Sequence, residues 1–91
     1  MFEIRVHPDA VKFLADLKPE TKERLKSGIR NLEIDPFKNR PQVNIKKLKG
    51  TKKREDLYRL RVGDYRIIYA VVGNTVFVLE IMLRGKGYEW L

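Results

Sequence analysis

Three arginines fall within two short alternating segments that a glycine-aspartate pair joins. The stretch at 57–69 reads LYRLRVGDYRIIY, with Gly63-Asp64 between its halves. A two-residue hairpin turn at this pair predicts the cross-strand partners Val62 with Tyr65, Arg61 with Arg66, and Arg59 with Ile68. Like charges that face each other across strands are destabilising, whereas clustered guanidinium groups bind phosphate through paired hydrogen bonds. The spacing therefore predicts a phosphate-binding face.

The residue types that are missing exclude several other kinds of chemistry. His7 is the only histidine, so a two-histidine acid–base mechanism is excluded, and we expect His7 to be a helix cap or a surface residue. The chain has no cysteine, which excludes disulfides, thiolate catalysis and cysteine-zinc sites. No acidic or histidine residues have metal-ligand spacing, and no glycine-rich phosphate loop precedes a helix. We expect neither a metal nor a cofactor.

What remains is a set of cationic and phenolic side chains. The candidate catalytic residues are Arg59, Arg61, Arg66, Arg84 and Tyr88, and the candidate RNA-binding residues are Lys46, Lys47, Lys49, Lys52, Lys53, Arg54 and Lys86. Fixed positive charge can stabilise a phosphorane-like transition state without a metal. Surrounding guanidinium groups would lower the pKa of Tyr88 from about 10, so that its phenolate could act as a general base. Tyr88 and Trp90 have the alternative of packing back on the domain.

The positive charge is concentrated in the later part of the chain. Residues 1–35 hold seven basic and seven acidic side chains, and residues 36–91 hold the other thirteen and five, which gives the whole net charge of +8. A basic run alone is often only a solvated surface. The asymmetry between the two parts favours one face that binds a polyanion, with nucleic acid as the leading candidate.

The order of apolar patterns predicts a single domain, residues 1–91, of the α+β class. A short strand at 2–6 precedes a helix that begins at Pro8, and a second helix begins at Pro19 and ends at Asp35-Pro36. The apolar stripe of the first helix is predicted to contain Ala10, Val11, Leu14 and Leu17. A polar loop at 36–44, a brief extended segment within 45–50 and a charged loop at 51–56 follow. Strands are predicted at 57–62, 65–72 and 75–83, which gives a small, twisted, mostly antiparallel sheet with the helical hairpin packed on one face.

The second turn, Gly73-Asn74, extends the register across the sheet. Both turns begin with glycine, as a type II′ turn requires. Strict alternation then places Val72 opposite Thr75, Ile68 by Leu79, and Arg66 by Ile81. The face that receives the helices is predicted to carry Tyr58, Leu60, Val62, Tyr65, Ile67, Tyr69, Val71, Val76, Val78 and Met82. The opposite face would carry the arginines and an exposed apolar strip of Ile68, Phe77, Leu79 and Ile81, which suggests a protein partner.

Three sequence runs resemble a known toxin family. The runs LKG at 48–50, YRLRVGDYRIIY at 58–69 and LRGKGY at 83–88 resemble the RelE branch of the RelE/ParE toxins, and the order of strand, two helices and DPF loop agrees. RelE toxins are small basic proteins that enter the ribosomal A site and cut mRNA there without a metal, by attack of a ribose 2′-hydroxyl on the adjacent phosphate. A cognate antitoxin wraps and neutralises them. The resemblance implies mRNA on the ribosome as substrate and an antitoxin as partner, in a complex expected to be oligomeric.

The resemblance also implies a role for each catalytic candidate. Arg59 and Arg61 match the two basic residues that neutralise the phosphate and hold the nucleophile, and Arg66 matches the arginine bound to the scissile phosphate. Arg84 matches an arginine near the leaving 5′-oxygen, and Tyr88 matches a tyrosine that stacks on a base and takes part in proton transfer. Strict alternation puts Arg84 on the face away from Arg66, so a bulge or the strand end is expected to redirect it.

Two other functions agree with the same residues. A ParE-like toxin would inhibit DNA gyrase by binding and cut nothing, and a basic RNA-binding module would have no toxic activity. No apolar run approaches the length of a membrane span, and the start MFEIRVHPDA is not that of a signal peptide. We expect the protein in the cytoplasm.

Overall fold

The computed structural model describes residues 1–48 and 56–84, and this part of the chain forms one mixed sheet with helices on one face. Its elements are β1 Glu3–Val6, α1 Pro8–Ala15, α2 Pro19–Arg30, a 3-10 turn Asn31–Glu33, β2 Asn44–Lys47, β3 Leu57–Val62, β4 Tyr65–Val72 and β5 Thr75–Leu83. The strand order is β1-β5-β4-β3-β2, in which β1 is parallel to β5 and the other neighbours are antiparallel. The predicted α+β class and helical hairpin are confirmed. No helix in these ranges is long and apolar enough to cross a membrane.

Both helices begin at the predicted prolines and end earlier than predicted. The His7 side chain accepts a hydrogen bond from the backbone N–H of Asp9, which confirms its expected role as a cap. Helix α1 ends at Ala15, and α2 ends at Arg30 and tightens into the 3-10 turn. With only two turns in α1, Ala10 and Leu14 are buried and Val11 lies outside the stripe, half exposed. The prediction for Val11 was wrong.

The main core lies between the helices and the sheet. Its buried members include Leu25 and Ile29 from α2 and Leu32 from the 3-10 turn. The sheet contributes Leu60, Ile67, Tyr69, Val76, Val78 and Ile81. Each fully buried aliphatic side chain of this kind stabilises the fold by about 1.5–3 kcal/mol. Helix α2 lies close to β3 because Gly28 has no side chain: a Cβ there would be 2.7 Å from Cγ2 of Val62.

The first hairpin has the predicted register. Val62 pairs with Tyr65, Arg61 with Arg66, and Arg59 with Ile68. Gly63 and Gly73 have φ of 57° and 59°, and the residue after each glycine does not have positive φ. A type II′ turn has this combination, whereas a type I′ turn needs positive φ at both positions. Both turns are therefore of the type that the sequence predicted.

The second hairpin departs from strict alternation at a β-bulge. Val72 pairs with Thr75 as predicted, but Tyr69 pairs with Val78 while Ile68 pairs with Glu80, which leaves Leu79 as the extra residue. The predicted pairs Ile68 with Leu79 and Arg66 with Ile81 were therefore wrong, and Arg66 pairs with Met82. Every side chain after the bulge lies on the face opposite to the one that strict alternation predicted. Ile81 therefore lies in the main core, and Met82 lies on the side of the sheet away from the helices.

The face away from the helices carries a second apolar cluster. Leu57, Ile68, Ala70 and Met82 are buried there, with Leu48 and Leu79 packed against them. The predicted exposed apolar strip was wrong for Ile68, which is fully buried, and for Ile81, which lies in the main core. Of that strip, Phe77 is exposed.

The loop between α2 and β2 is held by polar contacts that fix the start of β2. The Asp35 carboxylate accepts hydrogen bonds from the backbone N–H groups of Phe37 and Lys38, and these bonds lower its pKa. The Arg40 guanidinium donates to three backbone carbonyls of the loop. Asn39 Oδ1 accepts from the N–H of Ile45, so the loop connects directly to β2.

Candidate functional site

Five polar side chains lie on the face of the sheet away from the helices, at the end near the β3–β4 turn. They form two cross-strand rows. One row runs from Asn44 through Arg61 to Arg66, and the other runs from Lys46 to Arg59. We call this set the arginine face: Asn44, Lys46, Arg59, Arg61 and Arg66. Each residue comes from an alternating position of β2, β3 or β4, so the pleat directs them all to one side.

Arg66 is the central member of this face. It lies on β4, the middle strand of the sheet, opposite Arg61 on one side and Met82 on the other. Its Nε is buried and has no hydrogen-bond acceptor among the described residues. A buried donor without an acceptor costs about 1–3 kcal/mol, and more when it is charged. An anion bound between Arg61 and Arg66 would satisfy this donor and offset the repulsion between the two guanidinium groups.

Arg59 is oriented by its neighbour on the edge strand. Its Nη2 donates a hydrogen bond of 2.7 Å to Oδ1 of Asn44. An amide orients a guanidinium group without neutralising it. Asn44 is a functional candidate that the sequence did not reveal, because only the β2–β3 register brings it opposite Arg61.

Arg61 and Arg66 have no counter-charge in the described part of the chain. Among the described residues, no carboxylate lies at ion-pair distance from Arg61, Arg66 or Arg84. Glu80 is opposite Ile68 on the same side of the sheet, and it forms no ion pair with these arginines. The apolar side chains of Ile68 and Met82 lie beside the cluster. Such surroundings lower the local dielectric, which strengthens attraction for a bound phosphate.

The bulge at Leu79 brings Arg84 toward this face. Met82 is opposite Arg66, so alternation along the strand places Arg84, two residues later, on the same side of the sheet as Arg66. This agrees with the expectation that a bulge would redirect Arg84. The backbone N–H of Arg84 donates to the carbonyl of Asp64 at 2.6 Å, which holds the end of β5 beside the β3–β4 turn. Arg84 is exposed there.

Of the lysine candidates, Lys46 and Lys47 are among the described residues, and they lie on opposite sides of the sheet. Lys46 is opposite Arg59 on the arginine face, whereas Lys47 is opposite Tyr58 and so lies on the other side of the sheet. Lys47 forms an ion pair of 3.0 Å with Asp56, which raises its pKa. Six further candidates lie outside the described residues, and their roles stay predictions: Lys49, Lys52, Lys53, Arg54, Lys86 and Tyr88.

The described part of the chain has no group of side chains that could bind a metal ion. Across residues 1–48 and 56–84, no three acidic, histidine or cysteine side chains lie close enough to hold a metal ion. What the arrangement offers is fixed cations at the centre of a sheet, with apolar side chains beside them. Its chemical capacity is to hold a phosphodiester and to stabilise negative charge that develops on it.

Comparison with known proteins identifies the family. A sequence model described as "ParE toxin of type II toxin-antitoxin system, parDE" matches residues 4–88. RelE3 of Methanocaldococcus jannaschii is 32% identical, over 89% of this chain and 92% of its own length, and RelE1 of the same organism is 29% identical, over 94% and 92%. The crystal structure of the archaeal RelE-RelB complex from Pyrococcus horikoshii OT3 matches with a TM-score of 0.78 and 33% identity, over 94% of this chain and 98% of that one.

The fold and these similarities define the class of protein. The mixed sheet with two helices on one side matches the solved archaeal RelE-RelB complex, and the matching family model describes a toxin of a type II toxin–antitoxin system. The chain belongs to the RelE/ParE family and is a RelE-type toxin.

Proposed function

We propose that this toxin is a ribosome-dependent mRNA endonuclease that acts in the cytoplasm and cuts mRNA in the A site without a metal. The observation that carries the proposal is Arg66, a half-buried cation on the central strand. Its Nε has no acceptor among the described residues, and its cross-strand neighbour is another arginine. A scissile phosphate supplies the missing acceptor and the negative charge together. The choice of mRNA cleavage is supported by the resemblance of the sequence to the RelE branch, and the relatives are named RelE toxins.

The proposed reaction is an internal transesterification. The ribose 2′-oxygen attacks the adjacent phosphorus, the bond from phosphorus to the 5′-oxygen breaks, and the products end in a 2′,3′-cyclic phosphate and a 5′-hydroxyl. A base accepts the 2′-hydroxyl proton and an acid returns one to the leaving oxygen, with Tyr88 as the candidate for proton transfer. Arg61 and Arg66 bind the phosphate oxygens as negative charge grows on them. Arg59 holds the attacking 2′-hydroxyl in place, and Arg84 stabilises the leaving 5′-oxygen.

We further propose that an antitoxin protein neutralises this toxin by covering the arginine face. The solved relative from Pyrococcus horikoshii OT3 is a RelE-RelB complex, which supports a partner of this kind. Arg61 and Arg66 have no carboxylate partner among the described residues, which favours an acidic segment as the part of the antitoxin that binds there.

A second candidate is inhibition of DNA gyrase without cleavage. It is favoured by the family description that names ParE and covers residues 4–88. Induced expression separates the two functions. An mRNA endonuclease stops translation and leaves mRNAs cut at codons inside ribosomes, while DNA damage signalling with intact mRNA would indicate a gyrase inhibitor and contradict our proposal.

A further inference from the structure

A groove lies at the edge of the sheet, next to the arginine face, between α2, the loop before β2 and the β3–β4 turn. Its volume is about 660 Å³, within the usual range for ligand sites of about 300–1,000 Å³. The polar side chains that line it are Arg24, Ser27, Asn31, Gln42, Asn44 and Arg61. Two of these, Asn44 and Arg61, belong also to the arginine face, so the groove continues that surface around the edge of the sheet.

The helical wall of the groove is a polar stripe beside the core stripe of α2. Arg24, Ser27 and Asn31 follow at intervals of three and four, which places them on one side of the helix. Gly28, in the middle of this stripe, lets the helix approach Val62 closely. The polar stripe therefore lies directly against the end of β3 that carries Arg61.

Arg24 is placed at the β3–β4 turn by a second glycine. A Cβ at Gly63 would be 2.8 Å from Nη2 of Arg24, so the guanidinium lies against the bare backbone of that turn. Within the described part of the chain, Arg24 forms no ion pair and no side-chain hydrogen bond. None of the described residues that line the groove is acidic. Two guanidinium groups, Arg24 and Arg61, thus border a cavity whose described lining offers no counter-charge.

The opposite rim has a strained residue. Gln42 follows Pro41 in a tight turn closed by paired hydrogen bonds between Arg40 and Val43, and it has a φ of 67°. This position of a type II turn favours glycine or asparagine, and a longer side chain there costs on the order of 1 kcal/mol. The strain is explained if the side-chain amide of Gln42 contacts a ligand in the groove.

We propose that this groove binds a nucleotide of the mRNA next to the one that is cut, with Arg24 as the ligand of its phosphate. Amide and hydroxyl groups from Asn31, Gln42 and Ser27 would contact the base or the ribose. The occupant is an RNA strand because the groove joins the arginine face without a break and matches the charge of a phosphodiester. This inference rests on the proposed function, and it adds a substrate-binding site beyond the reaction centre.

The test compares two variants that remove the same charge from the same helix. Arg24→Gln changes the groove, and Arg30→Gln changes an exposed residue of α2 that does not line it. Single-turnover cleavage is measured on ribosomes programmed with an A-site mRNA, over a range of toxin concentrations. We expect Arg24→Gln to raise the concentration needed for half-maximal rate about tenfold, the loss of one charge-assisted hydrogen bond, while Arg30→Gln matches the wild type.

A scan of the mRNA then locates the phosphate that Arg24 binds. Each phosphate flanking the cut is replaced in turn by an uncharged methylphosphonate. One replacement should weaken the wild type about tenfold and have no further effect on Arg24→Gln, since both changes remove the same contact. Circular dichroism and thermal unfolding confirm that both variants are folded.

Three results would overturn the inference. Equal behaviour of Arg24→Gln and Arg30→Gln on a wild type that cuts normally would leave the proposed function standing and remove the groove site. A loss of binding to an acidic antitoxin segment, with cleavage unchanged, would assign the groove to a protein partner. A wild type that does not cut mRNA at all would refute the proposed function, and the groove site with it.

Discussion

Arg61 and Arg66 are directly opposite each other on neighbouring strands, on the face of the sheet away from the helices. Two guanidinium groups in this relationship repel each other, and the described residues offer no carboxylate at ion-pair distance from either one. A sheet built for stability alone would place an apolar or acidic residue at one of these positions. We propose that the pair marks a site that a bound phosphate stabilises.

Replacing Arg66 should separate activity from stability. We expect Arg66→Gln to lower the cleavage rate by about 100-fold or more, the usual loss when one transition-state donor is removed. The same change should leave the free energy of unfolding unchanged or raise it by about 0.5–1 kcal/mol at low salt, because a like-charge pair is removed. Urea unfolding at low and high salt measures this. A marked loss of stability at both salt concentrations would contradict the account.

Two adjacent lysines provide a matched pair of variants. Lys46 is on the arginine face opposite Arg59, and Lys47 is on the other side of the sheet, paired with Asp56. We expect Lys46→Gln to weaken mRNA cleavage several-fold and to lessen its dependence on salt. Lys47→Gln should leave cleavage unchanged, because an exposed ion pair contributes only about 0–1 kcal/mol to stability. Equal effects of the two variants on single-turnover cleavage would contradict the proposal that RNA binds on the arginine face.

The bulge at Leu79 can be tested by deleting the extra residue. Without Leu79, Glu80 stays opposite Ile68 and Ile81 stays opposite Ile67, so Ile81 keeps its place in the main core and the strand alternates regularly. We expect the deletion variant to fold and to retain cleavage, with a loss in the free energy of unfolding below about 1.5–3 kcal/mol because only the packing of Leu79 is removed. Leu79→Ala removes the same side chain and keeps the bulge, so the two variants should behave alike in urea unfolding and in single-turnover cleavage. A deletion variant that fails to fold, beside a folded Leu79→Ala, would contradict the assigned register.

Tyr69 should make stability depend on alkaline pH. Its hydroxyl donates a 2.6 Å hydrogen bond to the carbonyl of Pro36, and burial raises its pKa above the ordinary value near 10. A raised pKa means that this contribution is complete below about pH 10 and is lost as the pH rises toward the pKa of the folded state. We expect Tyr69→Phe to cost about 1–2 kcal/mol at neutral pH, with the difference from wild type shrinking above about pH 10.

The control for this effect is Tyr65→Phe. Tyr65 is half buried, and no hydrogen bond of its hydroxyl lies within the described residues. Unfolding of both variants and the wild type by urea, at neutral and alkaline pH, gives the comparison. A difference between wild type and Tyr69→Phe that stayed constant across this pH range would exclude the hydrogen bond as its cause.

The first hairpin could be predicted fully because its information is local. The first position of a type II′ turn requires positive φ, which glycine adopts without strain. The turn length then fixes the register, and alternation gathers Arg59, Arg61 and Arg66 on one face. The same local rules identified the proline starts of both helices and the His7 cap.

The second hairpin and the edge of the site could not be predicted in this way. The extra residue at Leu79 has no local turn signal, and it arises where β5 leaves its pairing with β1 and continues beside β4 alone. Asn44 reaches Arg59, and Arg24 reaches Gly63, only through the packing of β2 and α2 against β3. These features depend on contacts between distant parts of the chain, which the periodicity of the sequence does not reveal.

Attack by the ribose 2′-hydroxyl can be tested on an A-site mRNA that carries a single 2′-deoxyribose at the cut position. We expect the all-ribose mRNA to be cut to a 2′,3′-cyclic phosphate and a 5′-hydroxyl, and the deoxy-substituted mRNA to stay intact at that position. Cleavage of the deoxy-substituted mRNA at the same bond, or products with a 3′-hydroxyl and a 5′-phosphate, would contradict the proposed reaction.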